Sequence, residues 1–140
     1  MTTAIDTNVL IALWHPSEPV HRAAQNALDA ALAQGSLVIS APVFAELTAA
    51  PARDKKFVEL FCADTAIRVD WNMTEPIWRL AALAFQSYVK RHRKQLGSGP
   101  RRILADFLIG AHAAHNGHRL LTLDDRLYSA AFPKLSLISV

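Results

Sequence analysis

Four carboxylates stand inside or directly after apolar runs, where an ionised side chain is costly. Asp6 interrupts Ala4-Ile5-Asp6-Thr7-Asn8-Val9-Leu10-Ile11, and Glu46 interrupts Pro42-Val43-Phe44-Ala45-Glu46-Leu47. Asp106 sits in Ile103-Leu104-Ala105-Asp106-Phe107-Leu108-Ile109, and Asp124 follows Leu120-Leu121-Thr122-Leu123. A buried carboxylate must be hydrogen-bonded, paired with a base or bound to metal, because desolvating the bare charge opposes folding. No basic residue interleaves these runs; only Arg101 and Arg102 come close, just upstream of Asp106. The simplest compensation for four converging acids is a divalent cation. An all-oxygen donor set suits the hard ions Mg²⁺ and Mn²⁺. The chemistry such a site supports is hydrolysis, with an activated water and a neutralised phosphoryl oxygen.

For these acids to meet, the intervening chain must bring them to one edge. Short β-type runs alternate with helical ones, the pattern of an α/β fold with a mainly parallel sheet. Strand one is expected near Thr2 to Ile5. A helix should begin at Ser17, with Glu18 and Pro19 in its first turn, and end at Gly35. Leu37 to Ile39 reads as a strand, Pro42 opens a helix carrying Glu46 in its second turn, and a further helix spans about Asp54 to Ala63. Ile67 to Val69 is a third strand and Glu75 to Lys94 a long helix. Gly97-Ser98-Gly99-Pro100 breaks the chain before the helix bearing Asp106, which Asn116-Gly117 ends. Arg119 to Thr122, a short helix from Asp124 to Ala131, and Leu135 to Ser139 complete the order β-α-β-α-α-β-α-α-β-α-β. In this order Asp6 and Asp124 lie just past the carboxyl ends of strands, while Glu46 and Asp106 lie near the starts of helices leaving the same edge. That edge is where open parallel sheets bind ligands.

The bulk properties fit this frame. At 140 residues, with 51% hydrophobic and 19% charged residues, the chain suits one compact ordered domain spanning 1–140 and excludes disorder. Fifteen Lys and Arg against twelve Asp and Glu give a charge of +3, so a surface relieved of the four acids is distinctly basic. A single cysteine excludes an internal disulfide and fits a reducing cytoplasm. Asp6 and Asn8 interrupt the first apolar stretch, which is neither signal peptide nor membrane span.

Taken together, Asp6-Thr7-Asn8, Glu46 in its apolar helix, Ala105-Asp106-Phe107-Leu108-Ile109-Gly110-Ala111-His112-Ala113 and Leu121-Thr122-Leu123-Asp124 resemble, in order and spacing, the acidic motifs of PIN-domain ribonucleases. The closing Tyr128-Ser129-Ala130-Ala131-Phe132-Pro133-Lys134-Leu135 is similar to the tail of VapC-type toxins of bacterial toxin–antitoxin modules. The resemblance runs from the first strand to the last. It implies a three-layer α/β/α PIN-like domain with a central, mainly parallel sheet of four to five strands. It also implies an Mg²⁺- or Mn²⁺-dependent endoribonuclease, the toxin of a type II toxin–antitoxin system. Its expected partners are an RNA substrate, a cognate antitoxin and a second copy of itself. By that analogy Asp6, Glu46, Asp106 and Asp124 form the catalytic site. Asp6, Asp106 and Asp124 hold the metal, and Glu46 orients the water or acts as general base. Asn8 and Thr122 support the site. Apart from the analogy, Arg101 and Arg102 just upstream of Asp106 could bind the RNA substrate, form a solvated face, or in the case of Arg102 pair with Asp106 along the helix. The doublet Asp124-Asp125 leaves the fourth acid open by one position, and the Thr-x-Asp spacing favours Asp124.

Other readings stand beside this one. Asp6 could cap a helix, or serve as the nucleophile of a phosphatase resembling haloacid dehalogenases, although those need an acid where Asn8 stands. A PIN-like scaffold that binds RNA or protein without cutting is the non-enzymatic alternative. The basic cluster Lys90-Arg91-His92-Arg93-Lys94 could be a solvated helix end or an RNA contact. His112, His115 and His118 fit no zinc-protease motif. Cys62 reads as core, and Trp14, Trp71 and Trp78 as packing or interface residues.

Overall fold

The computed structural model describes residues 1–92 and 104–140. Five short strands, β1 (Thr2–Ile5), β2 (Ser36–Ser40), β3 (Ile67–Asp70), β4 (Arg119–Thr122) and β5 (Leu137–Ser139), form one sheet. Their order is β3-β2-β1-β4-β5 and every pairing is parallel. The three central strands are buried on both faces: Thr3 to Ile5, Leu37 to Ser40 and Leu120 to Thr122 are all inaccessible. Continuous apolar runs, rather than alternation, are what strands covered on both sides require.

Seven helices are present among the described residues. α1 (Thr7–Leu13), α2 (His21–Gln34), α3 (Ala41–Thr48) and α4 (Lys55–Thr65) follow β1 and β2 and pack as one layer. α5 (Glu75–Arg91), α6 (Leu104–His115) and α7 (Asp125–Ala131) form the other. The reversal of direction after β3 dictates this split, because right-handed crossovers running the opposite way along the sheet place their helices on the opposite face. The result is the three-layer α/β/α arrangement.

Two local expectations are corrected. α1 follows β1 directly, an element missing from the expected order; Asp6 ends the strand and caps this helix, as one of the readings of Asp6 allowed, accepting a bond from Thr7 N at 2.8 Å. α2 begins at His21 rather than Ser17, and Val20 caps it without a side-chain bond. Pro16 to Val20 is instead spent on turns, with Glu18 N bonded to His15 O and His21 N to Glu18 O. The expected break at Gly97 to Pro100 lies outside the described residues.

α6 is the most deeply set helix. Phe107 to Ala113 are seven consecutive buried residues. Gly110 makes this possible, since a Cβ there would drive into the ring of Phe132. No helix among the described residues is long and apolar enough to cross a membrane.

Candidate active site

The strand order reverses at β1, and the crevice beyond the carboxyl ends of β1 and β4 is the natural binding edge of such a sheet. Asp6 is the first residue after β1, only 3% exposed, and its backbone N–H donates to Leu121 O on β4 at 2.9 Å. Both carboxylate oxygens are engaged. Oδ1 takes the Thr7 N–H, and Oδ2 takes the Thr122 hydroxyl at 2.8 Å. Burial raises the Asp6 pKa; the bonds from Thr122 and Thr7 N and the nearby Tyr128 hydroxyl oppose this without cancelling it, and the Glu46 charge adds to the rise.

Glu46, in the second turn of α3, accepts the Thr7 hydroxyl at 2.6 Å through Oε1. Asp106 lies in the first turn of α6, and its pKa is pushed up to about 7. Burial is the main cause, followed by the charges of Asp6, Glu46 and Asp124. The four acids are therefore within electrostatic reach of one another. Asp124 is exposed and caps α7 by accepting Leu127 N at 3.3 Å. Asp125 turns to the Ser139 hydroxyl at 3.2 Å, so the two members of the doublet have separate partners.

Asn8 reaches across to β4, its Oδ1 accepting Leu123 N at 3.2 Å, and Thr122 Oγ1 also accepts Asp124 N at 2.9 Å. These bonds lash the segment after β1 to the segment after β4. Two residues that sequence reasoning gave no role belong to the same cluster. Thr7 joins Asp6 to Glu46. Tyr128 is 1% exposed, and its hydroxyl leans on Asp6 without a hydrogen bond of good geometry. Burial and the charges of Asp6 and Asp106 push that hydroxyl far above its ordinary pKa. Thr7 was legible as the middle of Asp6-Thr7-Asn8, and Tyr128 as the start of the closing motif, though nothing local joined it to the acids.

Among the described residues none of Asp6, Glu46, Asp106 or Asp124 forms an ion pair; the pairs present are Lys55–Glu59, Arg79–Glu75 and Asp70–His112. Among the described residues, hydroxyl and backbone amide groups are the donors that meet these acids. This donor set fits a hard divalent cation, with Asp6, Asp106 and Asp124 as the oxygen ligands. The carboxylates are not drawn into a closed shell, for among the described residues no group of three His, Cys, Asp or Glu side chains could hold an ion as it stands.

Asp106 and Asp124 open into a cleft of about 380 Å³ whose other walls are Tyr88, Arg91, His92, Arg126, Leu127 and Ala130. A roomier cavity of about 500 Å³ lies between Leu80, Ala114, Phe132 and Leu135. It borders His118 and Ser136, which precede β4 and β5, and so sits at the opposite edge of the sheet with no carboxylate in its lining. The acids lie at the carboxyl edge of the sheet, and the roomier cavity does not.

Arg101, Arg102, Arg93 and Lys94 lie outside the described residues. The histidine triplet has another use. His112 is 1% exposed, and its Nε2 meets Asp70 Oδ2 at 2.8 Å, tying α6 to the end of edge strand β3. Burial raises the Asp70 pKa, but the bonds from His112 and Asn72 N with the charges of His112 and Arg68 outweigh it, leaving Asp70 below its usual range. Cys62 is buried as expected. Trp14 packs edge-on against Phe57 and Phe61, whereas Trp71 and Trp78 are 60% and 49% exposed.

Comparison with known proteins agrees with this geometry. The family model for the PIN domain matches residues 3–133. Among solved structures, the chain is similar to one in the Rickettsia felis VapBC2 complex bound to a promoter DNA fragment, at 16% identity and TM-score 0.68, covering 99% of this chain and 98% of that one. A chain of a toxin–antitoxin complex from Klebsiella pneumoniae matches at 20% identity and TM-score 0.68, covering 98% and 96%. VapC20 of Mycobacterium tuberculosis, described as a sarcin-ricin loop cleaving toxin, matches at 19% identity and TM-score 0.56, covering 91% and 94%. No curated protein matches by sequence. With the family's match spanning nearly the whole chain, and an all-parallel sheet gathering acids at its carboxyl edge, the protein belongs to the PIN domain family.

Proposed function

We propose that this chain is an Mg²⁺- or Mn²⁺-dependent endoribonuclease and the toxin of a type II toxin–antitoxin pair. The observation that carries the reading is the set of four acids without a basic partner among the described residues, at the binding edge of a PIN domain. The toxin–antitoxin complexes and the RNA-cleaving toxin among its structural neighbours support the same reading.

A divalent ion held by Asp6, Asp106 and Asp124 would lower the pKa of a water and neutralise charge on the scissile phosphate. The chain's own residues do the rest. Thr7 N and the Thr122 hydroxyl fix both oxygens of Asp6, leaving its remaining lone pairs directed by a rigid frame. Glu46, held by the Thr7 hydroxyl through one oxygen, keeps the other free among its recorded bonds to accept the proton of the attacking water. Water adds to phosphorus, its proton passes to Glu46, and the bond to the 3′ oxygen breaks. The products are a 5′-phosphate and a 3′-hydroxyl, which takes up one proton. Asn8 holds the two acidic segments in register.

The same reading carries two protein partners, a cognate antitoxin and a second copy of this chain. Exposed Trp78 and Leu83 on α5, with Trp71, would supply apolar area for the dimer. The deciding experiment incubates partner-free protein with total cellular RNA and Mn²⁺ or Mg²⁺ and maps the new 5′ ends, with Asp6→Asn and Asp106→Asn alongside. Discrete cuts absent from both variants support the nuclease. RNA left whole by the wild type under either metal sinks it and leaves a binding scaffold.

A further inference from the structure

The cleft that opens from Asp106 and Asp124 has a second chemical character that the hydrolytic chemistry leaves unused. Arg91, at the end of α5, and Arg126, in the first turn of α7, line it together with those two acids. Both arginines are exposed. Among the described residues neither forms an ion pair, although each shares the cleft with carboxylates. Surface arginines beside unneutralised acids ordinarily find them. Here acids and guanidinium groups line one cleft side by side, Asp124 and Arg126 at the start of α7, Asp106 on α6 and Arg91 at the end of α5. A ligand that bridges cation-binding acids and these arginines must be anionic at repeated intervals along its length, as a polynucleotide backbone is. The same cleft has an aromatic lining: Tyr88 and His92 stack with ring centroids 4.3 Å apart.

We propose that Arg91 and Arg126 form a phosphate fork that grips the single-stranded RNA backbone beside the scissile bond, with the Tyr88–His92 stack as the surface along which the strand runs. The inference rests on the ribonuclease reading and names residues that position its substrate. The planar guanidinium is suited to this, offering paired donors to phosphate oxygens. Residues that hold flanking phosphates act on substrate affinity rather than on the chemical step. They also hold any RNA of suitable shape, since phosphate contacts carry no sequence information.

The test compares Arg91→Ala and Arg126→Ala with Arg22→Ala, which removes an exposed arginine from α2 in the opposite layer and controls for net charge. Affinity is read by fluorescence anisotropy of a short single-stranded RNA, using each variant in an Asp6→Asn background so that the probe survives. Each cleft variant should weaken binding about tenfold or more. Each should also flatten the dependence of log K on log salt by about 0.7, the contribution of one phosphate on a single strand. In the active background KM should rise with kcat nearly kept, and Arg126→Lys should recover part of the loss. Cleft variants that match Arg22→Ala while the wild type still cuts RNA overturn the fork and leave the nuclease standing. A fall in kcat at unchanged KM overturns it too, by moving the arginines to the reacting phosphate. If the wild type neither binds nor cuts RNA, the ribonuclease reading fails first and the fork with it.

Discussion

Replacing Asp106 by Asn should make the protein more stable while abolishing its activity, and the gain should depend on pH in a defined way. Burial and three neighbouring acids raise the Asp106 pKa from 3.8 to about 7. An acid whose pKa is higher in the folded chain destabilises the fold where the unfolded chain would be ionised. The penalty is absent below about pH 4, grows between pH 4 and 7, and is complete above pH 7. At 1.36 kcal/mol per pH unit the gap between 3.8 and 7 corresponds to about 4 kcal/mol. Asp106 is partly open to water, and screening reduces this to about 1–2 kcal/mol. Asn keeps the shape and removes the charge. Urea unfolding in EDTA should therefore show the variant more stable by about 1–2 kcal/mol at pH 8, equivalent to a few degrees in Tm, and equal to wild type near pH 4. Adding Mn²⁺ should raise the wild-type Tm and move the variant much less, because a ligand stabilises only the state that binds it. A variant that is less stable at pH 8, or whose difference does not change with pH, would refute the picture of an electrostatically loaded cluster.

The remaining predictions concern the frame around that cluster. Tyr128→Phe deletes a buried hydroxyl that makes no hydrogen bond of good geometry, so stability should hold or rise by up to about 1 kcal/mol; a loss above 2 kcal/mol in denaturant unfolding would mean a strong bond to Asp6. Asp70→Asn should cost about 1–2 kcal/mol at pH 7 by weakening the bond from His112. Since folding lowers the Asp70 pKa, its contribution is present above 3.8 and lost as pH falls through the folded value, so the deficit should shrink in acid. A deficit constant from pH 7 to pH 3 contradicts this. Gly110→Ala sets a Cβ into the Phe132 ring and should destabilise by about 1–3 kcal/mol despite the better helix propensity of alanine; an unchanged Tm would show that the ring moves aside freely.

Much of this was legible because a carboxylate inside an apolar run is an anomaly that needs no partner to be noticed. Asp6, Glu46, Asp106 and Asp124 each stood out locally, and the β/α alternation sent all four to one edge. The helix α1 was not legible. Its seven residues are too short to show periodicity, and the Asp6-Thr7-Asn8 triplet that caps it carries the composition of a turn. Ser17, by contrast, had the composition of a cap and was consumed by turns around Pro16 and Pro19. Contacts that depend on tertiary packing were invisible: Thr7 meets Glu46 across 39 positions, and Tyr128 meets Asp6 from the far end of the chain. The use of His112 as a structural tie to Asp70 could not be read from the spacing of three histidines. Arg126 was hidden by its place beside the Asp124-Asp125 doublet, which drew attention to the acids alone.

The Asp6–Thr122 bond joins residues 116 positions apart, across the two central strands of the sheet. During translation β1 emerges more than a hundred residues before its neighbour β4. At about 5–20 residues per second, the ribosome needs roughly 6–24 s to pass from Asp6 to Asp124. Until then no nascent chain holds all four acids, and a product truncated before β4 lacks the strand that anchors Asp6. A sheet so rich in distant pairings also folds slowly. If the chain is the RNA-cleaving toxin proposed above, it would stay inert until β4 is made, and the delay would give the proposed antitoxin time to be present when the cleft first closes.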